Sequence, residues 1–366
     1  MSAGMKIVLK GITKRFPGVT VIKDMDLEIG ERDFTTLLGP SGCGKTTTLR
    51  IIAGLEEPDE GEIWINDQLV FSAKKGINLP AAERNVGMIF QSYALWPHMT
   101  VFQNISFGLE GKMGKADINN RVKESLANVQ MSEYVQRYPS ELSGGQQQRV
   151  AVARMLAAQP EILLMDEPLS NLDAKLRMQM RAELKRMHND MNITVVYVTH
   201  DQEESLTLST KIAVMNEGII EQYGSPDEIY RNPSNLFVAD FMGNPQMNFL
   251  PVNSNVRDGL SELCFATGET IMLKRKVHQG HFVVGVRPED LKVSTLPSES
   301  SLKGRVYAVL PAGSSVIIYA SVGDQDLIIR ESRDTYVHTD QEVWITLEER
   351  YLNFFDKETH RLVGLP

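Results

Sequence analysis

Short apolar runs alternate with helical patterns over roughly the first 240 residues of the chain. Six of these runs predict β-strands, at residues 7–9, 34–38, 87–90, 162–165, 194–198 and 212–215. Several of them are apolar at nearly every position, which is typical of strands covered on both faces of a sheet. The alternation predicts an α/β domain.

The strand pattern stops between residues 93 and 160, and two helical patterns appear there, at residues 117–129 and 144–157. The first has apolar residues at helical spacing with polar residues between them, which predicts a surface helix with one buried stripe. That stripe consists of Ile118, Val122, Leu126 and Val129. We therefore expect a helical insertion over about residues 93–160.

The pattern changes after the chain-breaking sequence Gly243-Asn244-Pro245. Short alternating runs follow, at residues 282–286, 316–320, 327–330 and 343–347. They predict a second, all-β domain of one or two small barrels, similar to an OB-fold. We expect a first domain at residues 1–243 and an accessory or regulatory β-barrel domain at 244–366.

Composition and charge exclude several classes of protein. At 366 residues with 42% hydrophobic and 23% charged residues, the chain is typical of two or three soluble globular domains. Its net charge of −9, with neither half basic, argues against nucleic-acid binding through broad phosphate neutralisation. Its two cysteines fit a reducing compartment, and we expect no membrane span or secretory signal.

A glycine-rich loop directly follows the apolar run 34–38 and precedes a helical pattern. The pattern G-x-x-x-x-G-K-[ST] is matched by Gly39, Pro40, Ser41, Gly42, Cys43, Gly44, Lys45 and Thr46. Glycines let backbone N–H groups wrap phosphate oxygens, Lys45 adds a positive charge, and the Thr46 hydroxyl can bind Mg²⁺. With a strand before it and a helix after it, this segment predicts a P-loop.

The apolar run 162–165 ends in two acids, Asp166 and Glu167. Asp166 can hold the Mg²⁺ shell, whereas Glu167 can polarise an attacking water. Alone, the segment would be explained as well by an acidic turn after a strand. In a chain that also has a P-loop, it predicts a site of nucleotide hydrolysis.

A second segment, Leu142-Ser143-Gly144-Gly145-Gln146, begins a helical pattern. Ser143 and two glycines at a helix start can form another anion site. A plain helix cap is the competing interpretation. One complete P-loop needs a second phosphate site only if that site serves a partner's nucleotide.

The order of these motifs resembles that of the ATPase subunit of an ATP-binding cassette (ABC) importer. Gln91 resembles the family's Q-loop glutamine, Ser170-Asn171-Leu172-Asp173 its D-loop, and His200 its switch histidine. Phe16 resembles the aromatic residue that stacks on adenine, although it could instead anchor the turn after the first strand. The similarity covers about residues 5–240 and implies a P-loop NTPase fold with a helical subdomain.

The resemblance implies that the cofactors are ATP and Mg²⁺. Glu167, His200 and Gln91 are the implied catalytic residues, and Thr46, Gln91 and Asp166 are the implied Mg²⁺ ligands. The implied ATP-binding residues are Phe16, Gly39, Pro40, Ser41, Gly42, Cys43, Gly44, Lys45, Thr46, Thr47, Gln91, Asp166 and His200.

The resemblance also implies a homodimer, or a dimer with a near-identical ATPase, that forms two composite sites. ATP would join the subunits and its hydrolysis would release them. The residues implied to act in trans, on the partner's nucleotide, are Leu142, Ser143, Gly144, Gly145, Gln146 and Asp173.

The loop after Gln91 is rich in aromatic and apolar residues, and in this family the neighbourhood faces the membrane subunits. Such a patch suits a partner's helix. We expect permease contacts at Tyr93, Leu95, Trp96 and Met99. Packing of Trp96 inside the helical insertion is the alternative.

The segments 244–249 and 285–290 resemble the junction and accessory domain of maltose-type, multiple-sugar importer ATPases. The resemblance implies carbohydrate uptake. Two departures make the solute class less definite: the segment 96–101, which begins at Trp96, is equally similar to importers of iron or other small solutes, and Ser205 stands where alanine is common. An importer of ferric iron, polyamine or another small solute is the alternative. Arg287 and Glu289 are interpreted as a structural turn with a surface ion pair in preference to a ligand site.

The implied partners are a second copy of the chain, two integral-membrane permease subunits and, indirectly, an extracytoplasmic solute-binding protein, with no nucleic acid. We expect the chain at the cytoplasmic face of the inner membrane, as a peripheral protein. A non-transport ABC ATPase is the competing class. A long coiled-coil insertion or a second cassette would support that class, and the sequence has neither.

Overall fold

The computed structural model describes residues 4–90, 94–170, 172–257, 260–274 and 276–364. It divides into two compact units, Met1–Pro226 and Asp227–Pro366. No helix in the described part of the chain is long and apolar enough to cross a membrane.

The first unit combines two sheets with a group of helices. Its strands are β1 (Met5–Phe16), β2 (Val19–Gly30), β3 (Phe34–Leu38), β4 (Glu60–Ile65), β5 (Gln68–Ser72), β6 (Ile77–Asn78), β7 (Val86–Ile89), β8 (Ile162–Asp166), β9 (Thr194–Thr199), β10 (Lys211–Asn216) and β11 (Ile219–Gly224). Its helices are α1 (Lys45–Ala53), α2 (Val101–Ser106), α3 (Lys115–Asn128), α4 (Gly144–Ala158), α5 (Ala174–Met191) and α6 (Gln202–Leu208).

A mainly parallel sheet forms the centre of the first unit. Among the described residues, its strand order is β11-β10-β3-β9-β8-β7, and only the β10–β11 pair is antiparallel. Every residue of β3, β8 and β9 is buried, as their largely apolar sequences predict. The predicted α/β fold class is confirmed.

A second, antiparallel sheet of the first unit contains the first predicted strand. Its order is β2-β1-β4-β5-β6. Strand β1 runs for 12 residues, well beyond the predicted residues 7–9. Its pairing with β2 shifts register between Leu9 and Ile12 and again further along, which disrupts the regular alternation that would reveal a strand in the sequence.

The helical insertion has the buried stripe that its sequence predicts. Ile118, Val122, Leu126 and Val129 are all buried and join one core cluster with residues of α2, α4 and α5. The structure ends α3 at Asn128, with Val129 as the cap residue.

The second unit begins with two short helices, and antiparallel strands follow. Its helices are α7 (Pro226–Arg231) and α8 (Leu236–Phe241). Its strands are β12 (Asn248–Arg257), β13 (Leu260–Phe265), β14 (Thr270–Leu273), β15 (Gly280–Val286), β16 (Leu291–Ser294), β17 (Ser301–Ala312), β18 (Ser315–Val322), β19 (Gln325–Ser332), β20 (Glu342–Leu347) and β21 (Asn353–Asp356).

These strands form two five-stranded sheets in the described part of the unit. The orders are β14-β13-β12-β15-β21 and β16-β20-β17-β18-β19. Both sheets contribute to one hydrophobic core. An all-β architecture was predicted for this part of the chain, and it is confirmed.

Arg287 ties the two helices to the strands within this unit. Its guanidinium is buried and donates hydrogen bonds to the carbonyl oxygens of Tyr230 (2.9 Å), Ala239 (3.2 Å) and Met242. Glu289 instead accepts a hydrogen bond from the Tyr230 hydroxyl, and burial raises the pKa of Tyr230 to about 12. Arg287 is therefore structural, as expected, but its partners are backbone carbonyls and not Glu289.

The compact units divide before the predicted domain boundary. Ala239 packs with Met247 and Phe355 in a small apolar cluster, so α8 buries its apolar side within the second unit. The helices carry no strong change of composition that would separate them from the preceding residues. The boundary between residues 243 and 244 stays a prediction.

Shortened proteins that end at Pro226 and at Gly243 would test this boundary. Both should bind ATP, because every phosphate-directed residue lies before Asp201. The longer protein leaves Val238 and Ala239, which are buried in the full chain, without their partners. We therefore expect more aggregation of the longer protein in size-exclusion chromatography. The reverse order of solubility would assign α7 and α8 to the first unit.

Candidate functional site

The P-loop connects β3 to α1 and has the backbone that its glycines permit. Gly39, Gly42 and Gly44 have φ angles of 159°, 82° and 105°. At Gly39 a Cβ atom would lie 2.1 Å from the carbonyl oxygen of Met215, so no side chain fits there. Gly44 caps α1 without a side-chain hydrogen bond, which leaves the first-turn N–H groups available to an anion.

Lys45 lies inside this loop. Its side chain is buried, and Nζ donates hydrogen bonds to the carbonyl oxygens of Gly39 (2.7 Å) and Pro40 (2.8 Å). The same loop that is expected to bind phosphate therefore holds the positive charge at its centre. Cys43 Sγ lies 3.8 Å from Nζ, and burial raises the pKa of the Cys43 thiol.

The two predicted Mg²⁺ ligands that the structure describes are in direct contact. Thr46 Oγ1 donates a hydrogen bond of 3.0 Å to Asp166 Oδ1. Asp166 is only 5% exposed, and burial raises its pKa while the Thr46 hydrogen bond opposes that rise. A buried carboxylate beside a hydroxyl oxygen has the donor chemistry that Mg²⁺ prefers.

Glu167 and His200 form a second contact at the same edge of the sheet. Glu167 Oε2 lies 3.3 Å from His200 Nδ1. The Glu167 backbone N–H donates to the Val198 carbonyl, which ties the end of β8 to β9. Glu167 itself has a φ of 44°, so its backbone turns sharply just after the strand.

Ser143 caps helix α4 in a reciprocal arrangement. Its hydroxyl accepts a hydrogen bond from the Gln146 N–H (3.4 Å), and the Gln146 side chain accepts one from the Ser143 N–H (2.9 Å). This is a capping box, so the helix-cap interpretation holds. Exposed Ser143 and Gly144 are nevertheless accessible to a partner, whereas Leu142 is buried.

The two glycines of this segment have different surroundings. A Cβ atom at Gly144 would meet nothing within 4 Å. At Gly145 it would lie 2.1 Å from Leu176 Cδ2, so the leucine side chain would have to move. The absence of a side chain at Gly145 therefore leaves room for Leu176 of α5 to pack against α4.

The predicted D-loop segment, residues 170–173, is anchored to the chain just after β8. Ser170 Oγ donates a hydrogen bond of 2.9 Å to the Glu167 carbonyl oxygen. Asp173 caps α5 by accepting a hydrogen bond of 2.9 Å from the Leu176 N–H. Asn171, between them, lies outside the described residues.

Phe16, Gln91 and Tyr93 complete the predicted set. Phe16 is 38% exposed at the end of β1, with Lys14 Nζ 4.9 Å from the centre of its ring. It is therefore accessible, and its predicted adenine contact stays a prediction. Gln91 and Tyr93 lie outside the described residues.

Trp96 is half-buried in a loop that Asn104 holds in place. Asn104 is fully buried; it accepts a hydrogen bond from the Trp96 N–H and donates to the carbonyl oxygens of Trp96, Met99 and Thr100. Leu95 also packs partly into the neighbouring core. The sequence analysis missed Asn104, a polar residue on the buried side of a short helix.

The Trp96 ring packs between two other side chains. Its centroid lies 4.7 Å from that of Phe107, which is itself exposed, and the Arg154 guanidinium lies 5.0 Å from the ring. Arg154 also donates to the Ala94 carbonyl. Arg154 thus ties helix α4 to the predicted permease loop. The only signal of this link in the sequence is a charged residue, Arg154, within an otherwise apolar part of the helix.

The chain is similar to known proteins over nearly its full length. Residues 22–170 match the family model of the ABC transporter, and residues 284–355 match that of the TOBE domain. The trehalose/maltose import ATP-binding protein MalK of Thermococcus litoralis is 43% identical over 99% of this chain and 100% of its own length. The oligosaccharides import ATP-binding protein MsmX of Bacillus subtilis is 41% identical over 92% of this chain and 93% of its own.

Solved structures are similar to the first part of the chain. The ATP-binding cassette MJ0796, a dimer in a post-hydrolysis state with ADP and phosphate, has a TM-score of 0.53 and 32% identity over 60% of this chain and 98% of its own. CbiO1 of Clostridium perfringens, part of the ABC transporter complex CbiONQ, has a TM-score of 0.56 and 26% identity over 62% of this chain and 90% of its own. The chain therefore belongs to the ABC transporter ATPases, the ATP-binding and ATP-hydrolysing subunits of these transporters, and carries a TOBE domain.

Proposed function

We propose that this protein powers the uptake of a sugar or oligosaccharide, by hydrolysing ATP at the interface of a dimer. The observation that carries the hydrolytic role is the pair of contacts, Thr46 with Asp166 and Glu167 with His200, beside one P-loop. Relatives named as trehalose/maltose and oligosaccharide importers, similar over nearly the full chain, support carbohydrate as the solute.

In this proposal, the P-loop N–H groups and Lys45 bind the β- and γ-phosphates. Thr46 and Asp166, together with Gln91, would hold Mg²⁺, which neutralises phosphate charge when it is bound. The donor set fits that ion because all three side chains offer oxygen ligands.

Glu167 orients the attacking water and accepts its proton, while the bond from the γ-phosphorus to the bridging oxygen breaks. Its Oε2 faces His200, so Oε1 remains for the water. His200 would thus hold the carboxylate in place and approach the γ-phosphate. Phe16 would stack on the adenine ring.

The second half of each site comes from the partner subunit in this proposal. Exposed Ser143 and Gly144, at the N-terminus of a 15-residue helix, would contact the partner's γ-phosphate. Asp173 would act beside them. Support comes from the similar cassette MJ0796, whose structure is a dimer.

We further propose that the dimer attaches to two permease subunits at the cytoplasmic face of the membrane, with an extracytoplasmic solute-binding protein acting through them. Trp96, Leu95 and Met99, with Tyr93, would form the permease contact. The support is a half-buried tryptophan beside exposed Phe107, linked through Arg154 to the helix that begins after Ser143.

Glu167→Gln tests the hydrolytic role. The substitution keeps the side-chain volume but removes the charge that accepts a proton, so kcat should fall about a hundredfold or more. The variant should still bind ATP, and it should accumulate as an ATP-bound dimer, whose mass can be measured by light scattering. Asp166→Asn should instead also weaken ATP affinity in the presence of Mg²⁺. Unchanged turnover in Glu167→Gln, in protein free of contaminating ATPase, would refute the assignment.

Trp96→Ala tests the permease contact. ATPase activity of the isolated subunit should be nearly unchanged, while co-purification with its permease subunits should weaken. Trp64→Ala is a matched control, because the Trp64 ring is also half-buried and lies 5.9 Å from a cation, Lys75 Nζ, but Trp64 belongs to strand β4, away from the loop that carries Trp96. Equal loss of thermal stability and assembly in both variants would make Trp96 merely structural.

The solute class can be tested with the assembled transporter in liposomes, together with its binding protein. We expect maltose, trehalose or a longer oligosaccharide to stimulate ATP hydrolysis severalfold over the basal rate. Stimulation by ferric iron or a polyamine, with none by sugars, would overturn the carbohydrate assignment and leave the hydrolytic mechanism intact.

A further inference from the structure

Arg177 contacts two separate segments of the hydrolytic site. It lies in the first turn of α5, where Nη2 donates a hydrogen bond of 3.1 Å to the Leu172 carbonyl oxygen. Nη1 donates one of 3.3 Å to Asp201 Oδ2. Leu172 directly precedes Asp173, and Asp201 directly follows His200. One guanidinium thus joins the D-loop backbone to the turn that carries the switch histidine.

A buried carboxylate lies behind this contact. Glu204 is 3% exposed, and its Oε2 accepts hydrogen bonds of 2.8 Å from the hydroxyls of Tyr197 and Thr199. Arg177 Nε lies 3.9 Å from Oε1. Burial raises the pKa of Glu204, and the nearby arginine opposes that rise. The guanidinium is therefore held by two acids as well as by the carbonyl.

The residues on both sides of His200 are tied to this network. Thr199 Oγ1 accepts a hydrogen bond of 3.0 Å from the Asp201 N–H, and the Glu204 N–H donates one of 3.1 Å to Asp201 Oδ1. The His200 side chain itself is 61% exposed. Its direction therefore depends on the backbone of this turn and on its contact with Glu167.

We propose that Arg177 is a positioning residue for hydrolysis, which keeps the D-loop backbone in register with the turn that carries His200. This inference rests on the proposed roles of Glu167 and His200. Ser170 hydrogen-bonds to the carbonyl oxygen of Glu167, so the start of the D-loop is tied to the residue that carries the catalytic carboxylate. Arg177 connects the end of the same loop to the turn that carries the histidine partner of that carboxylate. A loosened anchor would displace reacting groups without touching the P-loop.

In the described part of the chain, a neighbouring ion pair links helices α5 and α6 without contacting the D-loop or the turn that carries His200, and so offers a control. Arg181, one turn further along α5, pairs with Glu203 of α6 at 3.1 Å. It links the same two helices as Arg177 does. Among the described residues, its recorded contact reaches neither Leu172 nor the turn at residues 199–201. Loss of Arg181 should therefore weaken the contact between the two helices and leave the D-loop and the His200 turn in place.

The test compares Arg177→Ala with Arg181→Ala in the full-length protein. We expect Arg177→Ala to lower kcat about tenfold or more while the Kd for a fluorescent ATP analogue changes by less than about twofold. Arg181→Ala should keep kcat within about twofold of the wild type, at a similar melting temperature to Arg177→Ala. Equal kcat losses in the two variants would overturn the proposal.

Two more variants guard against misfolding. Arg177→Lys should recover part of kcat, because an ammonium can still pair with Asp201 but lacks the planar fork that also reaches Leu172. Glu204→Gln can keep its carbonyl oxygen as the acceptor for Tyr197 and Thr199, but it removes the charge and places an N–H donor opposite Arg177 Nε, so it should fold and still lose part of kcat. Wild-type turnover in Glu204→Gln together with full recovery in Arg177→Lys would contradict the positioning role.

Glu167→Gln, measured in parallel, distinguishes failure of this inference from failure of the proposed function. If Glu167→Gln is inactive and Arg177→Ala retains wild-type kcat, only the inference fails. If Glu167→Gln keeps wild-type turnover, the proposed mechanism fails first.

Discussion

Parallel pairing between three neighbouring strands is the constraint on which the ATP site depends. Leu38 at the end of β3 pairs with Thr199 of β9, and Val198 pairs with Asp166 at the end of β8. Parallel strands end at the same edge of a sheet, so the chain segments that follow them emerge side by side. The P-loop, Asp166, Glu167 and His200 come together for this reason.

The central sheet and the P-loop could be predicted from the sequence because their signals are local. Strands β3, β8 and β9 are buried at every position, so each is mostly apolar, with threonine and a terminal aspartate as its polar residues. The P-loop needs glycine at positions such as Gly39, where the Met215 carbonyl leaves no room for a side chain. Such requirements appear directly as residue types at fixed spacing.

The ties between distant polar side chains could not be predicted in the same way. Arg177 and Asp201 are 24 residues apart, and Arg287 and Ala239 are 48 apart. Nothing in a single sequence says which carbonyl or carboxylate a charged side chain will meet. Strand β1 was underestimated for another reason, since its shifted register with β2 disrupts the alternation of apolar and polar residues.

The different surroundings of Gly144 and Gly145 bear on how this segment can vary among related chains. A Cβ atom at position 145 requires the Leu176 side chain to move, so a constraint from within the subunit acts there. A Cβ atom at position 144 meets nothing within 4 Å, so alanine has no steric obstacle there in its own subunit. Intolerance of alanine at position 144 would therefore point to another molecule that approaches this helix.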